Sequence, residues 1–184
     1  MTIDKSKLGL VHAFYGNGRG KTTAALGTAL RACGNGYKVH LVQFMKNGAN
    51  SLNKQVPGEI SILNKLDNFS FKRFGTKDWV KGKPNKEEIN SCKEAFSYLK
   101  KILKDSEYEL IIADEILYAV QMNLLTQKEI IELIKSKNKN KELILTGSHK
   151  PFKEIFKVCN YITEVKKVKH PYDVGILARE GIEY

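Results

Sequence analysis

The chain is poor in the residues that mark specialised scaffolds. Its 184 residues include three cysteines, four prolines and one tryptophan. Cys33, Cys92 and Cys159 are far apart and have neither metal-site spacing nor the density of a disulfide framework, so reduced thiols of a cytosolic protein are expected. No apolar run approaches the ~20 residues that cross a bilayer. The opening stretch Met1–Lys5 lacks the apolar core of a secretory leader, which again favours a cytoplasmic location. There is no histidine cluster to suggest zinc and no serine, histidine and acid spacing of a hydrolase. Acids are outnumbered: 20 Asp and Glu against 31 Lys and Arg leave a formal net charge of +11. The lysines are interleaved with glutamates and asparagines across 72–86, 93–104, 135–141 and 150–169 rather than gathered in a stripe. That pattern reads as a solvated surface that draws in small anions, and it argues against a nucleic-acid partner.

What is present is an ordinary globular composition, 42% hydrophobic. A chain this long is expected to form one domain over residues 1–184, burying roughly 70% of the surface its unfolded form would expose. Short apolar runs alternate with longer helical patterns, which predicts an α/β fold on a mostly parallel sheet. Strands are expected at Gly9–Phe14, Lys38–Phe44, Glu109–Ala113, Glu142–Thr146 and Tyr161–Val165, with an edge or half-buried strand at Phe69–Phe74. Helices are expected at Thr22–Cys33, stopped by Gly34-Asn35-Gly36, at Glu87–Lys104, and at Thr126–Lys135 with Thr126 as its cap. Asn47–Gly58 reads as an exposed loop. His12 and His40 interrupt apolar strands and are expected to be structural.

The most informative stretch is Tyr15-Gly-Asn-Gly-Arg-Gly-Lys-Thr-Thr23, which follows an apolar run and opens a helix. Strand, glycine-rich loop, Lys-Thr and helix make a cradle for a polyphosphate. Backbone N–H groups turn inward, lysine adds a point charge, and the threonine hydroxyl suits magnesium. The strict phosphate-loop pattern begins with glycine, where this chain has Tyr15; its glycines are Gly16, Gly18 and Gly20. A second element supports the first. Glu109-Leu-Ile-Ile-Ala-Asp114-Glu115 is a hydrophobic strand ending in adjacent acids, as a Walker-B-type magnesium site requires.

Several blocks together resemble the P-loop ATP:corrinoid adenosyltransferases, which act on cob(I)alamin and cob(I)yrinic acid a,c-diamide. They are Gly16–Thr23, Leu30-Arg31-Ala32 with Gly34-Asn35-Gly36, Val42–Lys46, Tyr108–Glu115, Leu145-Thr146-Gly147, Ile162-Thr163-Glu164, Lys169-His170 and Ala178–Glu183. Their order spans nearly the whole chain, and a missing first glycine is itself a trait of that family.

The resemblance implies a RecA-like P-loop NTPase fold and transfer of the 5′-deoxyadenosyl group of ATP to Co(I), with release of triphosphate. It assigns catalysis to Lys21, Thr22 and Glu115, and magnesium to Thr22 and Glu115. Substrate contacts fall to Gly16, Asn17, Gly18, Arg19, Gly20, Lys21, Thr22, Thr23, Gln43, Lys46, Phe74 and Trp79, with ATP lying reversed relative to ordinary P-loop enzymes. A homodimer and a flavoprotein-type reductant are the implied partners.

The chain departs from the family at Ser148, where many members carry an arginine, and His149 and Lys150 are the nearby cations that could replace it. Two other readings use the same motifs. A generic P-loop ATPase or kinase would release ADP, and a binding homologue would form no product.

Overall fold

A computed structural model describes residues 5–46, 56–76 and 82–183. Six strands form one sheet: β1 (Val11–Tyr15), β2 (Val39–Gln43), β3 (Phe69–Arg73), β4 (Leu110–Asp114), β5 (Glu142–Thr146) and β6 (Tyr161–Glu164). The order is β3-β2-β4-β5-β1-β6, and every pairing is parallel. Parallel strands covered on both faces read as continuous apolar runs. Accordingly all five residues of β2 and of β4 are buried.

Alternate residues serve opposite layers. Ile111 and Ala113 of β4 face a core shared with α3 (Lys86–Lys104), α4 (Ile116–Gln121) and α5 (Gln127–Ser136). Leu110 and Ile112 face a second core with α1 (Lys21–Gly34) and α2 (Gly58–Leu63). A short α6 (Lys153–Phe156) precedes β6.

The helix starts follow the capping chemistry. Asn85 accepts from the Glu88 amide at 2.9 Å while the Glu88 carboxylate accepts from the Asn85 amide at 2.7 Å, a reciprocal box that opens α3. Thr126 and Glu129 repeat it for α5. The expected strands and the three longer helices form, with ends displaced by a residue or two, and β3 is an edge strand as its mixed pattern implied. The sequence reading missed α2, α4 and α6. They have six, six and four residues, too few turns for a hydrophobic period to emerge. Most of the loop expected at 47–58 lies outside the described residues, and Gly58 itself begins α2.

His40 is structural, as expected. It is buried on β2, with Nδ1 2.7 Å from Ser70 Oγ and Nε2 3.0 Å from the Tyr98 hydroxyl. A neutral ring gives one donor and one acceptor, and both hydroxyls can serve either role. Burial, and then Lys72, pushes its pKa down to about 4. The fold therefore holds the neutral ring. Its contribution is complete above the unfolded value near 6.5 and is lost as pH falls from there toward 4. Acidification across that window is expected to remove up to about 3 kcal/mol of stability through this group. Urea midpoints at several pH values, compared between the parent and His40→Gln, check it: the variant should lack that part of the slope.

Candidate active site

β1 ends at Tyr15, one residue further than expected, and this accounts for the missing glycine. Tyr15 is still strand, paired with Glu164 and packed on Phe156 at 4.8 Å between rings. The loop proper starts at Gly16. Gly16 and Gly18 are glycine for a reason that the phosphate motif did not suggest. The chain leaving β6 crosses so close that a Cβ on either would lie 2.4 Å or 2.8 Å from the Val165 carbonyl oxygen. The Gly18 amide donates to that same oxygen at 2.7 Å, so it is committed to the protein and not to a ligand. Gly20 meets a different need. It precedes α1 with φ of 110°, a left-handed conformation that costs glycine little.

Lys21 opens α1 and folds back over the loop, its Nζ donating to the Gly16 and Gly18 carbonyls at 2.7 and 3.0 Å. Burial lowers its pKa, while Glu115 and Asp114 oppose that shift. Thr22 Oγ1 donates to Asp114 Oδ1 at 2.8 Å, which ties the start of α1 to the end of β4. Asp114, fully buried, also accepts from Thr146 Oγ1 at 2.6 Å and from Gln43 Nε2 at 2.9 Å. One helix and two strands thus send one polar side chain each to a single carboxylate.

The next residue, Glu115, turns left-handed at φ of 64°, with its carboxylate 3.5 Å from Lys46 Nζ. Burial raises its pKa, Asp114 adds to the shift, and Lys46 and Lys21 counter it. Lys21, Thr22, Gln43, Lys46, Asp114 and Glu115 line a crevice of about 630 Å³ at the C-terminal ends of the strands, where ligands of open α/β sheets bind.

Most of the expected substrate contacts meet there: Gly18, Arg19, Gly20, Lys21, Thr22, Thr23, Gln43, Lys46 and Glu115 all line the crevice. Gly16 and Asn17 are not among the lining residues; Asn17 Oδ1 accepts from the Lys167 amide at 2.9 Å. Phe74 is not among the lining residues. It is buried, with its ring 5.6 Å from that of Tyr98 and under the Lys72 ammonium. Trp79 lies outside the described residues. Sequence reasoning passed over Asp114 in favour of its neighbour Glu115, and it gave no role to Thr146, to Arg73 or to the turn at Gly181–Glu183. The adjacency of two acids could not say which one faces Thr22. Strand alternation settles it, because Asp114 is the last residue still in β4.

Ser148 occupies a tight position. It is fully buried at φ of 61°, its hydroxyl reaches the Lys150 carbonyl at 2.7 Å, and its own carbonyl accepts from the Gly16 amide at 3.0 Å. A guanidinium has no room there. Ser148→Arg is expected to destabilise the fold by about 2–4 kcal/mol and to bring no gain in turnover; thermal denaturation alongside specific activity checks both. Of the two neighbouring basic residues, His149 packs on Tyr118 at 5.5 Å between rings. Burial and then the charge of Lys21 lower the His149 pKa, so that its ring is near enough to feel the loop lysine.

A glycine-rich loop between strand and helix and a strand-end carboxylate on an all-parallel sheet define the fold of the P-loop NTPases. Structural comparison agrees: the RadB recombinase superposes with a TM-score of 0.50 over 89% of this chain and 77% of its own, at 19% identity, so the shared feature is the RecA-like fold. Within that class the chain belongs to the ATP:corrinoid adenosyltransferases, whose BtuR/CobO/CobP family model matches residues 7–184. It is similar to the corrinoid adenosyltransferase of Escherichia coli K12, 31% identical over 176 residues, 96% of this chain and 86% of that one. The corrinoid adenosyltransferase CobA of Salmonella typhimurium LT2 is 30% identical over 181 residues, with the same coverage of 96% and 86%.

Proposed function

We propose that this protein transfers the 5′-deoxyadenosyl group of ATP to the Co(I) centre of a corrinoid, with Lys21, Thr22, Asp114 and Glu115 serving the triphosphate. The observation that carries this reading is the junction of phosphate loop and strand end, Thr22 Oγ1 to Asp114 at 2.8 Å, inside a crevice large enough for a triphosphate. The cobalt attacks the ribose 5′ carbon, a cobalt–carbon bond forms, and the carbon–oxygen bond to the triphosphate breaks with its electron pair leaving on oxygen. So strong a nucleophile asks for no general base. The protein's work is in-line placement and stabilisation of the charge that builds on the leaving group. Lys21, Lys46 and Arg19, which all line the crevice, supply that charge stabilisation.

The donor set is one of hard oxygens, a threonine hydroxyl and two carboxylates, and suits magnesium, which keeps several waters and takes one or two carboxylates. Thr22 and Glu115 would hold it, with Asp114 fixing the Thr22 hydroxyl; when bound it would neutralise part of the triphosphate charge. A dication beside the buried Glu115 carboxylate would favour its charged form.

The remaining partners follow from chemistry. Co(I) has to be delivered reduced, which a reduced flavoprotein could do. A homodimer is supported by the open edge of the sheet: all four residues of β6 are exposed, and Val168, Tyr172, Val174 and Leu177 beyond it are exposed too. No helix of the described residues is long and apolar enough to cross a membrane. The deciding experiment is anaerobic incubation with reduced cobalamin, ATP and magnesium. Adenosylcobalamin and inorganic triphosphate in equal amounts are expected. ADP and phosphate would mean an ordinary ATPase, and no product at all would mean a binding protein.

A further inference from the structure

The crevice has a wall that neither the phosphate loop nor the strand ends provide. The chain after β6 runs along the loop, held by the Gly18 amide on the Val165 carbonyl and by the Lys167 amide on Asn17. It then returns, so that Gly181, Ile182 and Glu183 line the same crevice as Lys21 and Thr22. The returning turn is closed by a clamp: the Glu183 carboxylate accepts from the Arg179 amide at 2.8 Å, from Arg179 Nε at 3.0 Å and from its terminal nitrogen at 2.9 Å. Across the mouth stands Arg19 of the phosphate loop. Its guanidinium donates to the Ile182 carbonyl and lies 3.8 Å from Glu183 Oε1.

A carboxylate is an unexpected wall for a site that takes a polyanion. The crevice's four cations are already matched by four carboxylates, among them Asp114, Glu115 and Glu183. Asp114 and Glu115 belong to the strand end that supports Thr22 and the cation site. Glu183 has no such duty. Hydrogen bonds from Arg179 hold its carboxyl down to about 2, so it is ionised at any working pH.

We infer that Glu183 is a positioning residue that competes with the triphosphate for Arg19. In the free protein the C-terminal turn holds the Arg19 guanidinium through the Ile182 carbonyl and the Glu183 charge. An arriving triphosphate takes Arg19 over, and a departing one hands it back, so the turn weakens binding of the product as well as of the substrate. Arg179 sets how much of the Glu183 charge reaches the crevice. The long 3.8 Å contact is the one that exchanges, and the bidentate clamp is the one that stays.

This rests on the reading that the crevice binds triphosphate, and the test separates the two. Inorganic triphosphate with magnesium is titrated by calorimetry at low ionic strength into the parent, Glu183→Gln and Arg179→Gln. Removing the competing charge should tighten binding about three- to fivefold in Glu183→Gln. Arg179→Gln, which strips the clamp but leaves the carboxylate, should weaken it by a similar factor. Opposite signs are the signature, because a turn acting only as structural cover would lose affinity in both. No binding by the parent would sink the triphosphate reading itself. A parent that binds, with Glu183→Gln unchanged or weaker, would sink the role of Glu183 alone.

Discussion

Lys21→Ala is expected to slow adenosyl transfer by roughly 10²–10³-fold or more while the protein stays folded. Lys21 Nζ spans the loop between two carbonyls, Gly16 and Gly18, and stands within the field of Asp114 and Glu115. Alanine removes the cation and leaves both acids in place, so the crevice turns from balanced to negative just where negative charge develops. The structural loss is smaller, since the two carbonyls can turn to water at the crevice surface. Lys21→Arg makes the useful control. It keeps the charge, but a planar fork does not fit between two carbonyls shaped for a compact ammonium, and it should recover only part of the rate. Single-turnover measurements with reduced corrinoid, set beside thermal midpoints, separate chemistry from folding. A tenth of the parent rate surviving in Lys21→Ala would remove the lysine from the mechanism.

How far the sequence reveals this site depends on which residues speak through local pattern. Lys21, Thr22 and Gly20 do, because a loop between strand and helix must bend at fixed places. The buried strands do also: the short apolar run from Leu110 to Asp114 reads as a covered parallel strand, and it forms β4. Gly16 and Gly18 speak ambiguously. Their alternation looks like phosphate chemistry, yet the atoms nearest their absent Cβ groups belong to Val165 and Lys166, some 150 residues away in sequence. Phe74 misleads for the same reason. An aromatic beside Gly75 reads as a loop residue that could face a flat ligand, whereas the chain leaving β3 turns it into the core against Tyr98. Ser148 is legible as a departure from the family, but its burial and positive φ are not, and these exclude an arginine. The C-terminal turn is the least visible. Nothing local marks Arg179 to Glu183 as part of the crevice, because only the crossing of the chain after β6 brings them there.

Asp114 offers the sharpest separation of stability from chemistry, since two substitutions should part company. Asp114→Ala leaves the Thr22 and Thr146 hydroxyls and the Gln43 amide without their common acceptor in a fully buried place. Unpaired buried donors of this kind cost about 1–3 kcal/mol each, and because the two hydroxyls can turn to other acceptors a total of about 3–5 kcal/mol is expected. Asp114→Asn keeps the shape. Its new amide nitrogen would meet Gln43 Nε2, donor against donor, but Gln43 Oε1 has no partner among the described residues. A flip of the Gln43 side chain would bring that oxygen round to accept, and the two hydroxyls could still donate to the remaining asparagine oxygen. Asparagine should therefore cost only about 1 kcal/mol in stability. It nevertheless deletes a negative charge that polarises the Thr22 hydroxyl and balances Lys21, so turnover should fall at least about 100-fold and saturate only at higher magnesium. Denaturation midpoints and magnesium titrations of the two variants check this together. If Asp114→Asn kept near-parent activity, the carboxylate would be a structural knot between three strands, and Glu115 alone would carry the chemistry.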